Sequence, residues 1–158
     1  MLKYKYKMKT QFDILKKSRE LTLKAINGLT LEQLHTIPTG FKNHIAWNVA
    51  HMVVTQQLLH YKLSGLDCLA PEELIEEHRK GTSPTKTFSD EEFEEVKELL
   101  VGLPDTLEED FNEGIFETYT EYPTSTGFVL DSFNTAINFN NFHEGIHLGI
   151  ILSIKKLV

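Results

Sequence analysis

Four long segments with helical periodicity constrain the fold of this chain more than any other feature. In each of them, apolar residues recur every three or four positions among good helix formers. The predicted helices span roughly residues 10–26, 43–65, 89–113 and 128–156. No segment shows a convincing two-residue alternation of the kind that a half-buried strand requires. The pattern predicts an all-α fold, a helical bundle in one domain over residues 1–158.

Capping and breaking residues mark the expected ends of these helices. Gly28 follows Asn27 and is expected to stop the first helix. Asn43 is the expected N-cap of the second helix, and Ser89 begins a strong capping signature for the third. Pro104 falls inside the third segment, where it is expected to kink or split the helix.

The connections between the helices are of unequal length. A long crossover, residues 66–88, joins the second and third helices, with a short helix expected from Pro71 to about Arg79. Residues 115–127 are rich in Thr, Tyr, Pro and Gly, and they are expected to form a loop with at most a short extended piece.

Size and charge limit the classes of function. With 158 residues, 41% of them hydrophobic, the chain can bury one sizeable core. The formal net charge of −7 disfavours a nucleic-acid backbone or an anionic membrane as the partner, because both attract clustered Lys and Arg. No segment approaches the roughly 18 consecutive apolar residues that a membrane-spanning helix needs.

A basic stretch opens the chain, and it contains Lys3, Lys5, Lys7 and Lys9. No apolar run follows it, so a secretory signal is not expected, and residues 1–9 are expected to be flexible. Cys68 is the one cysteine, so no intrachain disulfide can form. A reducing cytoplasm is therefore the expected location.

Two histidines in the last helix form the strongest candidate for a functional site. His143 and His147 are four residues apart and so share one helix face. Two imidazoles one turn apart can bind one metal ion, although a single pair does not make a site. In the second helix, His44 and His51 share nearly one face, whereas His60 points almost oppositely to His51. The common alternative for His51, His143 and His147 is a histidine that is simply hydrogen-bonded in the core or at its rim. The alternative for His44 is a histidine at the helix start that is exposed to water.

The pair also matches a zinc-protease motif, His-Glu-x-x-His, with Glu144 as the general base. In the common versions of that motif a third ligand follows later in the chain. Eleven residues follow His147, and none of them is His, Asp, Glu or Cys. The protease hypothesis is therefore a minor alternative, and Glu144 is expected to be a surface carboxylate or one that supports a ligand.

Two segments resemble the signatures of one family. Residues 43–51, Asn-His-Ile-Ala-Trp-Asn-Val-Ala-His, and residues 143–150, His-Glu-Gly-Ile-His-Leu-Gly-Ile, are similar to the two motifs of the DinB-like (DinB/YfiT) metalloenzymes. The resemblance covers nearly the whole chain, including the long connection between the second and third helices. Ile150 is a departure, because the family often has Gln at that position.

The resemblance implies a four-helix bundle with a left-handed crossover between helices two and three. It also implies a divalent metal, zinc or nickel before others, bound by three histidines: His51, His143 and His147. Relatives include transferases and isomerases that use low-molecular-weight thiols, and many relatives are dimers. By this resemblance the chain is expected to be a homodimer that acts on a small molecule.

Two hypotheses about function follow. The first is a metal-dependent enzyme, a transferase that uses a low-molecular-weight thiol or else a hydrolase. The second is a non-catalytic helical dimer whose metal is structural or absent. Five further residues are named as candidates near the site: His44 and Glu144 for catalysis, and Trp47, Asn48 and Asn140 as pocket walls or as groups that orient the ligands.

Overall fold

The computed structural model of the protein describes residues 2–158, with side chains from residue 8 onward. The helices are α1 (Leu2–Ile26), α2 (Leu31–His35), α3 (Ile45–His60), α4 (Glu72–His78), α5 (Asp90–Glu113) and α6 (Phe133–Ile154). A 3₁₀ turn, Lys62–Ser64, follows α3. Two short antiparallel strands, β1 (Tyr122–Pro123) and β2 (Val129–Leu130), form a hairpin before α6. The predicted all-α class is confirmed, with this hairpin as a small addition.

Helix α3 is the most buried element of the fold, because it packs against α2, α4, α5 and α6. Fourteen of its sixteen residues are buried, and only Thr55 and Leu58 are half-buried. Helix α1 packs on α5 and α6, so each of the four long helices contacts two of the others. No helix in the described part of the chain is long and apolar enough to cross a membrane.

The apolar stripes of these helices meet in two clusters of buried side chains. The larger cluster joins α3 to α5 and α6 through residues such as Val53, Leu100 and Ile151. The smaller one consists of Met8, Phe12, Leu15, Tyr61, Leu107, Phe133 and Ile137. Each fully buried Leu, Ile or Phe contributes about 1.5–3 kcal/mol through removal from water. The larger cluster holds α3 and α6 against each other, and the candidate site lies between these two helices.

Several predicted helix ends are confirmed. Gly28 has a φ of +79° just beyond α1, a conformation that glycine adopts without strain. The Ser89 hydroxyl accepts from the amide of Glu92, whose carboxylate accepts in turn from the Ser89 amide at 2.7 Å. The N-cap predicted for the second long helix was wrong by one residue. It is His44, not Asn43, and the His44 ring nitrogen Nδ1 accepts from the amide of Trp47 at 2.9 Å.

Two helix starts differ from the prediction. Helix α1 begins at Leu2 rather than near Thr10. The flexibility expected for residues 1–9 stays a prediction, and the side chains of residues 1–7 lie outside the described residues. Helix α6 begins at Phe133 rather than near Phe128, because the hairpin occupies the preceding residues and Ser132 caps the helix.

Pro104 does not split α5, which is continuous from Asp90 to Glu113. A proline cannot donate to the carbonyl four residues earlier, which here belongs to Leu100. That carbonyl instead accepts from the guanidinium of Arg19 at 3.1 Å. The hydrogen bond missing from the helix is thus replaced by one from α1, and the helix continues.

Candidate metal centre

Three histidines converge between α3 and α6. His51 comes from α3, and His143 and His147 come from successive turns of α6. The Nε2 atom of His143 lies 3.2 Å from that of His51 and 3.0 Å from that of His147. One ring nitrogen from each histidine lies within 4.8 Å of the others, so the group could hold a metal ion. The structure brings together the three residues that the family resemblance implied.

Hydrogen bonds on the far side of two rings fix which nitrogen faces the cluster. His51 Nδ1 is 2.6 Å from the carbonyl oxygen of His78, so Nδ1 carries the proton and donates it. His147 Nδ1 donates in the same way to Asn48 Oδ1 at 2.8 Å. The Asn48 amide is oriented by its own Nδ2, which donates to the His44 carbonyl at 2.8 Å. Both rings therefore turn an Nε2 lone pair towards the cluster, as metal ligands do.

Further contacts hold the ring of His51. Trp47 stacks on it, with ring centroids 4.7 Å apart and planes inclined by 13°. The Thr55 hydroxyl oxygen, one turn further along α3, lies 3.3 Å from His51 Nε2. Trp47 therefore supports the ring of His51 without lining the cavity, and Thr55 places a hydroxyl beside the converging nitrogens.

Two of the distances between the ring nitrogens fit a shared divalent metal. In a tetrahedral zinc site with Zn–N bonds of about 2.05 Å, two ligand nitrogens would be about 3.3 Å apart. The distances of 3.0 and 3.2 Å are close to that value. Lone pairs that face one another at this distance repel unless a cation or a proton lies between them. The donor set, three imidazoles, suits zinc, nickel or copper.

All three rings are held neutral, the form that binds metal. Burial lowers the pKa of His143 to about 2, and the adjacent His147 and His51 lower it further. Burial and His51 lower the pKa of His147 to about 3. Burial also lowers the pKa of His51, although its hydrogen bond to the His78 carbonyl opposes the change. Because the rings of His51 and His147 are neutral and carry their proton on Nδ1, their Nε2 lone pairs face the cluster without a proton at neutral pH.

A cavity of about 410 Å³ opens beside the histidines, and His51 and His143 form part of its wall. Thr55 and Leu58, the two half-buried residues of α3, also line it. The hairpin contributes further lining through Tyr122 and the turn that follows it. The volume lies within the range of small-molecule sites. A metal held by the three histidines would have room for a ligand on this side.

Glu144 forms a buried ion pair and does not line this cavity. It is 0% exposed, and its two carboxylate oxygens accept from Arg19 Nε and Nη2, each at 2.7 Å. Burial raises the pKa of Glu144, and the Arg19 charge and hydrogen bonds oppose that rise. The expectation of a surface carboxylate was wrong. Glu144 is buried against Arg19 and does not line the cavity, so it is not placed to activate water there as the protease hypothesis requires.

The remaining candidate residues do not line the cavity. His44 is 3% exposed, so the alternative of a water-exposed ring was wrong. It caps α3, packs against His35 with centroids 4.9 Å apart, and does not line the cavity. Asn140 is fully buried beside Glu144, whose pKa it helps to lower. Ile150 packs against the larger apolar cluster and does not line the cavity.

Sequence reasoning missed several groups that build the site. Thr55 is four residues after His51, so helical spacing alone could have placed it on the same face. Arg19 stands in the apolar stripe of α1, and a charge at such a position signals a buried partner. The His78 carbonyl had no signal in the sequence, because its contact with His51 depends on how the crossover folds back.

Comparison with known proteins agrees with this geometry. The model of the DinB superfamily matches residues 14–151 of the chain. A search of the curated proteins found no match. The matched region contains all three converging histidines as well as Trp47 and Asn48. The chain therefore belongs to the DinB superfamily.

Proposed function

We propose that the protein is a metal-dependent enzyme whose divalent ion is bound by His51, His143 and His147. The convergence of three Nε2 atoms beside an open cavity is the observation that carries this proposal. A structural metal site is normally closed by four protein ligands, whereas a catalytic site keeps a position open. Within the described residues, the cluster contains three ligands and no fourth. Zinc and nickel are the first candidates for the metal.

The first candidate reaction is transfer of a low-molecular-weight thiol to an electrophile, and the second is hydrolysis. When bound, a divalent ion supplies a positive charge that makes a thiol or water molecule acidic near neutral pH. In thiol transfer, sulfur forms a bond to an electrophilic carbon. The leaving group departs with its electron pair, and the thiol proton passes to solvent.

Residues of the chain would position the reactants. The His78 carbonyl and Asn48 keep the rings of His51 and His147 oriented, so that the geometry is set before the substrate arrives. The Thr55 hydroxyl can donate a hydrogen bond to a group beside His51 Nε2. Leu58 and Phe139 line the cavity and would exclude water from the reacting atoms.

The fold and assembly are proposed to follow the family. The contacts of α1 with α5 and α6, and of α3 with the same two helices, support a four-helix bundle. The left-handed crossover would then be the segment between α3 and α5. A homodimer, a small-molecule substrate and a cytoplasmic location are further parts of this proposal. Nucleic acid and membrane are not proposed as partners.

Metal analysis of protein purified without a histidine tag tests the proposal. The expected result is about one divalent ion per chain. His51→Ala, His143→Ala and His147→Ala should each remove most of it, because two imidazoles bind far more weakly than three. His35→Gln is the matched control, since His35 lies outside the cluster. Circular dichroism must show that each variant is folded.

Folded wild-type protein that takes up no divalent metal would overturn the proposal. Turnover then separates the two functional hypotheses. The metal-loaded protein is mixed with monobromobimane and with cysteine, coenzyme A or glutathione, and the metal-free protein is the blank. A rate above the blank with one thiol supports the transferase. A full complement of metal with no rate for any thiol or hydrolytic substrate favours the non-catalytic alternative.

A further inference from the structure

We propose that the cavity beside the three histidines selects small organic anions, and that Lys62 and Lys80 determine this selectivity. The further claim that the anion bound in this cavity is also the substrate rests on the proposed function. The observation that carries the inference is the sign of the charges around the cavity. Among the residues whose side chains the structure describes, two lysines line the cavity and no Asp or Glu does.

This local charge is opposite to that of the chain. The protein has 23 acidic and 16 basic residues, so a surface chosen at random would be acidic. Neither Lys62 nor Lys80 forms an ion pair with a described carboxylate. By contrast, Lys16 and Lys86 are each held between two carboxylates. The two cavity lysines thus keep their charge available to a ligand.

The two lysines come from separate parts of the chain. Lys62 belongs to the 3₁₀ turn after α3, and this turn is fixed because the Leu63 carbonyl accepts from the Thr120 amide at 2.6 Å. Lys80 follows α4 in the crossover, two residues after His78, whose carbonyl binds His51. Both segments are therefore tied to the elements that build the metal centre.

The rest of the lining is mainly apolar and limits the kind of anion. Leu58, Leu59, Leu63 and Phe139 contribute apolar walls. A volume of about 410 Å³ admits a small organic molecule but leaves no room for a polymer. The favoured ligand combines an apolar portion with a carboxylate, sulfonate or phosphate. Its anionic group would interact with the lysines while the apolar portion contacts the leucines.

Two fluorescent probes test this selectivity in the metal-free protein. The anionic probe is 8-anilinonaphthalene-1-sulfonate, and N-phenyl-1-naphthylamine is the same ring system without the sulfonate. We expect Lys62→Gln and Lys80→Gln each to weaken binding of the anionic probe about fivefold, and the double variant about twentyfold. Both lysines are solvent-exposed, so these effects are modest and should shrink at high salt.

Two controls locate the effect. Lys156→Gln removes the same charge at an exposed position outside the cavity, and it should change binding of the anionic probe less than twofold. Leu58→Trp fills the cavity and should weaken both probes. The neutral probe should bind the lysine variants as it binds the wild type.

The proposal would be overturned if Lys156→Gln weakened binding of the anionic probe as much as the cavity lysine variants do. It would also be overturned if the cavity lysine variants weakened binding of both probes equally. Unchanged binding of the anionic probe to the double variant would also overturn it. These titrations need no metal, so they stand apart from metal analysis of the same proteins. A folded wild type that takes up no divalent metal but still selects the anionic probe would reject the metal proposal and leave the selectivity proposal standing.

Discussion

His143 and Glu144 are neighbours in the chain, yet α6 directs their side chains into different surroundings, because successive helical residues are rotated by about 100°. Both carboxylate oxygens of Glu144 are hydrogen-bonded to Arg19 and are removed from water. His143 lines the cavity, and its Nε2 lies among other ring nitrogens. Its Nδ1 is buried without a partner among the described residues.

The comparison shows two roles for buried polar groups: one stabilises the fold, and the other is available to bind a ligand. The Glu144 charge is matched by that of Arg19, and Arg19 also donates to the Met52 and Leu100 carbonyls, so it links α1 to α3, α5 and α6. Around His143 three ring nitrogens converge on one another, and no charged partner such as Arg19 pairs with them in the described part of the chain. We therefore expect substitutions in the first region to change stability, and those in the second to change metal affinity.

The largest expected effect on stability comes from breaking the buried ion pair. Arg19→Ala should lower the free energy of unfolding by about 3–5 kcal/mol, because it leaves the Glu144 carboxylate buried without a partner. Urea unfolding of the metal-free protein, followed by circular dichroism, measures this. Arg79→Ala is the control, since its ion pair with Glu76 is exposed and should contribute less than about 1 kcal/mol.

A second variant separates the ion pair from the rest of the core. Arg19→Met combined with Glu144→Leu removes both charges and should recover part of the lost stability. A loss below about 1 kcal/mol for Arg19→Ala alone would mean that the buried pair behaves like a surface pair. The proposed contrast between the two faces of α6 would then be wrong.

The next effect belongs to the metal centre. Asn48→Ala removes the acceptor that orients His147, and it should weaken divalent-metal binding by about 10–100-fold. Competition with a fluorescent chelator measures the affinity. Asn138→Ala, at an exposed position on α6, is the control and should leave the affinity unchanged. Full affinity in Asn48→Ala would show that this hydrogen bond does not orient the ligand.

The next prediction concerns how stability depends on acid pH through His60, a buried histidine outside the metal centre. Burial lowers the pKa of His60 to about 4, and the Arg19 charge also lowers it. The unfolded chain then binds more protons than the folded one below pH 6.5, so stability falls as the pH falls from about 6.5 to 4. His60→Leu should reduce this slope by about 1.4 kcal/mol per pH unit.

The measurement is the urea-unfolding free energy of metal-free protein at several pH values in that window. The slope is compared rather than the absolute stability, because His60→Leu also changes packing. Exposed Lys156→Gln provides a control with an unchanged slope. Equal slopes for wild type and His60→Leu would show that His60 takes up its proton in the folded protein as readily as in the unfolded chain.

The four long helices could be predicted because apolar periodicity is a local signal. Their ends were less predictable. An imidazole at His44 accepts the capping hydrogen bond that Asn43 was expected to accept, and a hairpin of two-residue strands displaces the start of α6. Neither feature has a strong local pattern.

The residues of the candidate site likewise fall into those that could be predicted from the sequence and those that could not. The spacing of His143 and His147 is visible in the sequence, whereas His51 was assigned through family resemblance. The His78 carbonyl and Lys80 depend on the path of the crossover, and Lys62 depends on the turn after α3. Such contacts arise from tertiary packing, and no residue pattern within one helix reports them.

The smallest expected effect concerns the position where relatives often have Gln. Ile150 lies on α6, outside the cavity, and its half-buried side chain packs against the larger apolar cluster. Ile150→Gln should lower the free energy of unfolding by about 1 kcal/mol through lost apolar burial. It should leave metal affinity unchanged, since Ile150 is not one of the converging residues and does not line the cavity. Urea unfolding and the chelator competition measure the two quantities on one preparation. A gain in metal affinity would mean that a polar group at position 150 reaches the metal centre. Position 150 would then belong to the metal-binding face of α6 and not to the apolar face.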